Sequence, residues 1–210
     1  RFDGGAITRV QDNYVIQWAA TPAAAGYKPA LLPAEYERSA KGLDFRPLGF
    51  ADAFAETGFV AGWPVARDRK AGSAWLVHCY GSVGVGRDNP PDTGDGSELY
   101  AIIGHSPRHL DRNITLVGRV VEGIEAHAAL PRGTGELGFY KTPGEATPIV
   151  RVRLASSLAD PPRLEVLDSA SASFAALKDA RANRRDPFFL RPAKALDICN
   201  MPVTVRRAAR

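Results

Sequence analysis

The stretch RFDGGAITRVQDNYVIQW, residues 1–18, decides how the rest of the chain is read. A Phe2-Asp3-Gly4-Gly5 turn leads into Ala6-Ile7-Thr8-Arg9-Val10. A polar turn, Gln11-Asp12-Asn13, follows, and Tyr14-Val15-Ile16-Gln17-Trp18 closes the stretch. Two short β-branched and aromatic runs joined by three turn formers predict a β-hairpin, because such side chains suit a pleated, half-buried surface. The pattern sets one cation, Arg9, and one amide, Gln17, on neighbouring strands beside apolar side chains.

Outward from the hairpin, composition bounds the answer. A chain of 210 residues, 45% hydrophobic and 24% charged, suits one domain with a sizeable core and an appendage. Gly 20 and Pro 16 imply many turns and short elements, hence a mainly β fold rather than a helical bundle. No 18-residue apolar run exists, so no membrane insertion is expected. The net charge is +4, with Arg181, Arg184, Arg185, Arg206, Arg207 and Arg210 near the C-terminus. These arginines are read as a solvated face, and no nucleic-acid partner is expected. Cys79 and Cys199 leave two readings open, a long-range disulfide or two small buried hydrophobes.

Farther along, Pro22, Pro29 and Pro33 prevent a long helix over residues 19–41. Residues 43–59 read as short strands or irregular packing, 62–68 as a strand, and 73–80 as a buried strand entered from Gly72. The run GSVGVGRDNPPDTGDG, residues 81–96, is too rich in Gly, Pro and Asp to be regular. Strands are expected at 99–103, 114–121 and 149–154, and a short helix at 124–130. Pro161-Pro162 marks the expected end of a barrel domain over residues 1–160. The extension over 161–210 holds a helix at 169–183, capped by Ser169 or Ser171, and an extended segment at 197–205.

The first hairpin resembles the cyclophilin-type peptidyl-prolyl isomerase signature, an aromatic-Asp-Gly turn followed by "FHRV". Here this reads Phe2-Asp3-Gly4, then Ile7-Thr8-Arg9-Val10 and Tyr14-Val15-Ile16-Gln17. Two further matches are collinear. Gly96-Ser97-Glu98-Leu99-Tyr100 stands where the family has "GSQFF", and the run from His109-Leu110-Asp111 to Gly123 stands where it has "WLDGKHVVFGKVVEG". The resemblance implies an antiparallel β-barrel with a short helix and a C-terminal extension. Cyclophilins carry two strands and a helix before the Phe-Asp-Gly turn, so the barrel is expected to be incomplete at its start.

The same resemblance implies the activity: cis-trans isomerisation of X–Pro bonds in extended or unfolded polypeptides, without a cofactor, by a monomer. The alternative on the same fold is a non-catalytic proline-peptide-binding or chaperone-like module. Arg9 stands at the catalytic position. Tyr14, Val15, Tyr100 and Leu110 stand at the proline pocket, and Gln17 at the glutamine that binds substrate backbone. Strand 73–80 aligns with the family's "LSMANA" groove wall, which puts His78-Cys79 in that wall and the Cys79 backbone against the peptide. Glu98, His109 and Ile114 replace the family's groove Gln, Trp and His. Resemblance to exported bacterial cyclophilins with long insertions points to the periplasm, with the cytoplasm as the alternative.

Other motifs carry less. His105 and His109 are four apart, but Pro107 opposes the helix that would align them as metal ligands, so no metal is expected. Asp88, Asp92, Asp95 and Glu98 do not have the EF-hand spacing. The glycines at 81, 84 and 86 open no helix, which removes a dinucleotide site. His78 beside Cys79 is no nucleophile pair, since adjacent strand residues face opposite ways.

Overall fold

The predicted hairpin forms: β1 (Ala6–Val10) and β2 (Val15–Ala19) pair antiparallel in a computed structural model that describes residues 2–21 and 30–209. Pro22 and Pro29 therefore lie outside the described residues. The following strands are β3 (Arg38–Ser39), β4 (Arg46–Pro47), β5 (Glu56–Val60), β6 (Trp63–Asp68) and β7 (Ser73–Leu76). After them come β8 (Ser82–Val85), β9 (Glu98–Ile102), β10 (Leu116–Arg119), β11 (Thr147–Pro148), β12 (Leu164–Val166) and β13 (Val205–Arg207). The fold is mainly β, and every pairing between these strands is antiparallel.

Contacts divide the chain into two units. One takes the chain up to Tyr36 together with His78–Pro161; the other takes Glu37–Val77 and everything from Pro162 onward. Residues 37–77, expected within the barrel, group instead with the C-terminal part.

In the first unit six strands form one sheet in the order β10-β8-β9-β2-β1-β11. One face carries a core of Ile7, Val10, Ile16, Ala101 and Ile103. The short helix α1 (Ile124–Ala128) supplies Ile124 and Ala128 to the same cluster. Simple alternation cannot place Ile7 and Val10, three residues apart, on one face. A register shift between Ile7 and Arg9 resolves this: Ile7 pairs with Trp18, Arg9 with Gln17, and Val10 with Ile16. One extra residue, Thr8, changes the parity of the strand, as β-bulges do. Ile7 and Val10 both reach the core, and Arg9 turns to the other face beside Gln17.

In the second unit β3-β7-β6-β5-β4 form one sheet and β12-β13 another. Helix α2 (Ala172–Asn183) starts at Ser171, whose hydroxyl accepts a hydrogen bond from the Phe174 N–H at 3.1 Å. Phe174 then packs edge-on against Phe59, ring centroids 5.0 Å apart. On the same sheet Glu56 accepts from both Arg67 and Arg69 through two oxygens each. Those bonds hold its carboxyl well below the usual range.

Three expectations change. The strand predicted over 73–80 ends at Leu76. The run 81–96, expected to be irregular, contains β8, because Gly84 is accommodated between two ladders rather than breaking them. The alternating run 149–154 forms no strand beyond β11: the Val152 N–H donates to Asp3 Oδ1 at 2.8 Å, and Arg153 pairs with the same carboxylate. A side chain takes the donor that a ladder would have used. In the segment 197–205 a 3-10 turn, Ile198–Asn200, precedes β13. Cys79 and Cys199 are each disulfide-bonded, so neither is a free thiol. Among the described residues no helix is long and apolar enough to cross a membrane.

Ile16, fully buried on β2, is the point at which this core is easiest to test. Ile16→Ala should destabilise the protein by about 2–5 kcal/mol, the cost of lost transfer energy plus a cavity. Urea unfolding reads this as a lower midpoint at unchanged slope.

Candidate functional site

The sheet face opposite the Ile16 core lines a cleft of about 690 Å³. Its floor is one row of cross-strand partners: Gly84 on β8 pairs with Tyr100 on β9, Tyr100 with Gln17 on β2, and Gln17 with Arg9 on β1. Partners directly opposite one another share a face, so four strands converge on one line of side chains. Val15 lies beside that row on β2, and Tyr14, Leu110 and Ile114 complete an apolar wall. Sequence reasoning named Arg9, Tyr14, Val15, Gln17, Glu98, Tyr100, Leu110 and Ile114, and the structure brings all eight to this cleft.

Arg9 is held from three sides. Its Nε donates to the Leu137 carbonyl at 2.7 Å, Nη1 to Gln17 Oε1 at 3.4 Å, and Nη2 to Gln11 Oε1. The guanidinium also lies 5.5 Å from the Tyr14 ring centroid and 5.0 Å from that of Phe139. Burial lowers its pKa from the ordinary value, and Tyr14 opposes the shift. Arginine starts so high that the group stays charged at neutral pH. Three of its five N–H groups are thus engaged among the described residues.

The carbonyl that accepts from Nε sits in an unusual turn. Leu137 has φ +53°, a region disfavoured for a branched side chain, and Gly138 follows at φ +78°. A Cβ at Gly138 would come within 2.6 Å of Gln11 Cα, so only glycine lets this turn close on the β1–β2 connection. Leu137 and Phe139 carry no local signal of this role, because only folding brings a turn some 130 residues away against Arg9.

Gln17 links two charged groups. Its Oε1 accepts from Arg9 and its Nε2 donates to Glu98 Oε2 at 2.5 Å. A carboxylate only accepts, so Glu98 fixes the orientation of the amide and turns its oxygen toward the guanidinium.

Two expected groove residues lie elsewhere. Cys79 is buried and disulfide-bonded, and it is not part of the lining. Its N–H donates to Ser82 Oγ at 3.1 Å and its carbonyl accepts from the Ser82 N–H at 2.9 Å, so its backbone is spent within its own turn. The wall beside β9 is instead β8 and the residues after it, Gly86, Arg87 and Asp88. Apolar content favours 73–80 as that wall, but the glycine-rich run forms it, because Gly84 leaves room for the Tyr100 ring. His109 is exposed on the 3-10 turn Arg108–Leu110 and is also outside the lining. Successive residues of such a turn point about 120° apart, so Leu110 takes the cleft and its neighbour faces away. Among the described residues no group of three or more His, Cys, Asp or Glu side chains is placed to hold a metal.

Tyr100 is nearly inaccessible and its ring lies across Gly84: a Cβ there would come within 2.3 Å of the phenol carbon Cζ and oxygen. Its hydroxyl meets His78 Nε2 at 3.0 Å.

Residues 1–154 match the family described as cyclophilin type peptidyl-prolyl cis-trans isomerase/CLD. The chain is similar to the crystal structure of cyclophilin AquaCyp293 from Hirschia baltica, at 23% identity and a TM-score of 0.72, over 98% of this chain and 77% of that one. That likeness speaks for the fold. No curated protein matches.

Burial pushes the Tyr100 phenol well above its ordinary pKa, with Tyr14 and Asp111 adding to the effect. A phenol whose folded pKa is raised stays neutral in the native state while the unfolded chain ionises near 10.0, so this contribution to stability is lost as pH rises past that value. Tyrosinate absorbance at about pH 11 should therefore be equal for folded wild type and Tyr100→Phe, and differ by one tyrosine after unfolding.

Proposed function

Because the chain belongs to the cyclophilin-type peptidyl-prolyl cis-trans isomerase family, we propose that its cleft binds an X–Pro segment and speeds rotation about the prolyl amide, with Arg9 as the donor. The observation that carries this reading is the meeting of Arg9 with Tyr14, Val15, Gln17, Tyr100, Leu110 and Ile114 in one cleft.

Rotation about an X–Pro bond is slow because amide resonance must be lost, at a barrier of about 18–20 kcal/mol. No bond breaks, so the reaction calls for neither nucleophile nor metal. It is helped by a donor placed where the twisted amide gathers charge, and by a surface that holds the ring away from water. Arg9 supplies the donor, preorganised by Leu137, Gln17 and Gln11. The apolar wall of Val15, Tyr100, Leu110 and Ile114 supplies the surface for a pyrrolidine ring. Gln17 retains one amide hydrogen beyond the one given to Glu98, and that hydrogen serves a carbonyl of an extended substrate. The substrates are proline-containing segments of extended or unfolded polypeptides.

One observation favours a second reading, a proline-peptide binder without appreciable rate. Glu98 draws the Gln17 amide to itself, leaving less of it for a substrate.

A protease-coupled assay on an X–Pro peptide decides between them. Wild type should accelerate isomerisation, and Arg9→Ala should lower kcat/KM by about 10²–10³, the usual cost of removing one preorganised donor. Rates of both proteins equal to the uncatalysed reaction would leave only the binder.

A further inference from the structure

Behind the cleft, three polar side chains outside its lining join Tyr100, which lines it, in one buried chain. Arg108, Asp111 and His78 are each almost wholly inaccessible, with side-chain exposures of 6%, 6% and 1%. Asp111 Oδ2 accepts from Arg108 Nε at 2.7 Å. Asp111 Oδ1 accepts from both the backbone N–H and the ring Nδ1 of His78, each at 2.9 Å. His78 Nε2 meets the Tyr100 hydroxyl at 3.0 Å, and the two rings lie nearly parallel at 14°. A carboxylate only accepts, so the bond to Asp111 puts the hydrogen on Nδ1 and fixes the orientation of the imidazole.

The two ends of this chain are the two sides of the apolar pocket. Tyr100 comes from β9. Leu110 comes from the 3-10 turn that begins at Arg108, and the Asp111 N–H closes that turn on the Arg108 carbonyl at 3.0 Å. One carboxylate therefore grips the turn carrying Leu110 and, through His78, the tip of Tyr100. Gly84 leaves room for the ring to lie flat under that grip. A buried ion pair adds little net stability over apolar packing, but a fully satisfied network confines its members to one arrangement.

We propose that Asp111 is a positioning residue for X–Pro recognition, holding Tyr100 and Leu110 at the separation that fits a pyrrolidine ring, with His78 as its relay. The inference rests on the reading of the cleft as a proline site. It concerns substrate fit and not the donor, since Arg9 is held by other partners on β2, the β1–β2 turn and the 135–139 turn.

The test compares wild type with Asp111→Asn, Tyr100→Phe and the double variant, measuring KM and kcat on an X–Pro peptide and calorimetric Kd for the same peptide. Asparagine cannot accept from Arg108 and His78 with both side-chain atoms, so Asp111→Asn should raise KM and Kd about tenfold while kcat changes little. Tyr100→Phe cuts the link at its other end and should raise Kd by a smaller factor. The double variant should be no worse than Asp111→Asn alone, because both changes break one connection. A folded Asp111→Asn with wild-type Kd, or additive effects in the double variant, would overturn the proposal. Should Asp111→Asn not fold, Tyr100→Phe decides alone, and an unchanged Kd sinks the idea. A wild type that neither binds nor isomerises the peptide fails at the proposed function itself, an outcome distinct from both.

Discussion

The site depends on one extra residue in an edge-proximal strand. Without the irregularity at Thr8, the two-residue period of β1 would send Arg9 to the same face as Ile7, into the apolar core. An unpaired guanidinium there is prohibitive, because burying a charge without partners costs far more than one strand contributes. The bulge lets the same five residues supply two core side chains and one cleft cation. The row Gly84, Tyr100, Gln17 and Arg9 follows from that parity, since each is the direct partner of the next.

Around this row the cleft uses two kinds of order. On the cation's side it is made by hydrogen bonds that span the chain: a strained turn at Leu137 and Gly138 offers a carbonyl to Arg9, and Glu98 sets the Gln17 amide. On the apolar side it is made by what lies beneath. Tyr100 and Leu110 present carbon to the cleft and are steadied from behind by His78, Asp111 and Arg108. Polar groups in the interior thus shape a surface that is itself apolar. The same low dielectric that strengthens their bonds would penalise any one left unpaired.

Much of this was legible in the residues themselves. The 1–18 stretch announced its hairpin, and the three collinear runs announced the family that residues 1–154 belong to. A serine cap, at Ser169 or Ser171, and the helix after it were likewise visible as local signals, and the structure uses Ser171. The wall of the cleft was not. Residues 73–80 looked like the better strand by apolar content, whereas the wall is β8, whose glycine exists to receive a ring from β9. Likewise the alternation of 149–154 suggested a strand, but Asp3 takes the donor a ladder needs.

What the sequence determined by itself is the set of local preferences: hairpin, turns, helix cap, and the chemical types brought to the site. Those follow from side-chain shape and nearest-neighbour geometry, which need no distant partner. What only the tertiary structure decided is which face each residue serves. The bulge that turns Arg9, the pairing of Tyr100 over Gly84, and the reach of Asp111 to both Arg108 and His78 depend on register between segments far apart in the chain. Register is set by how whole strands pack together, and no single segment carries it.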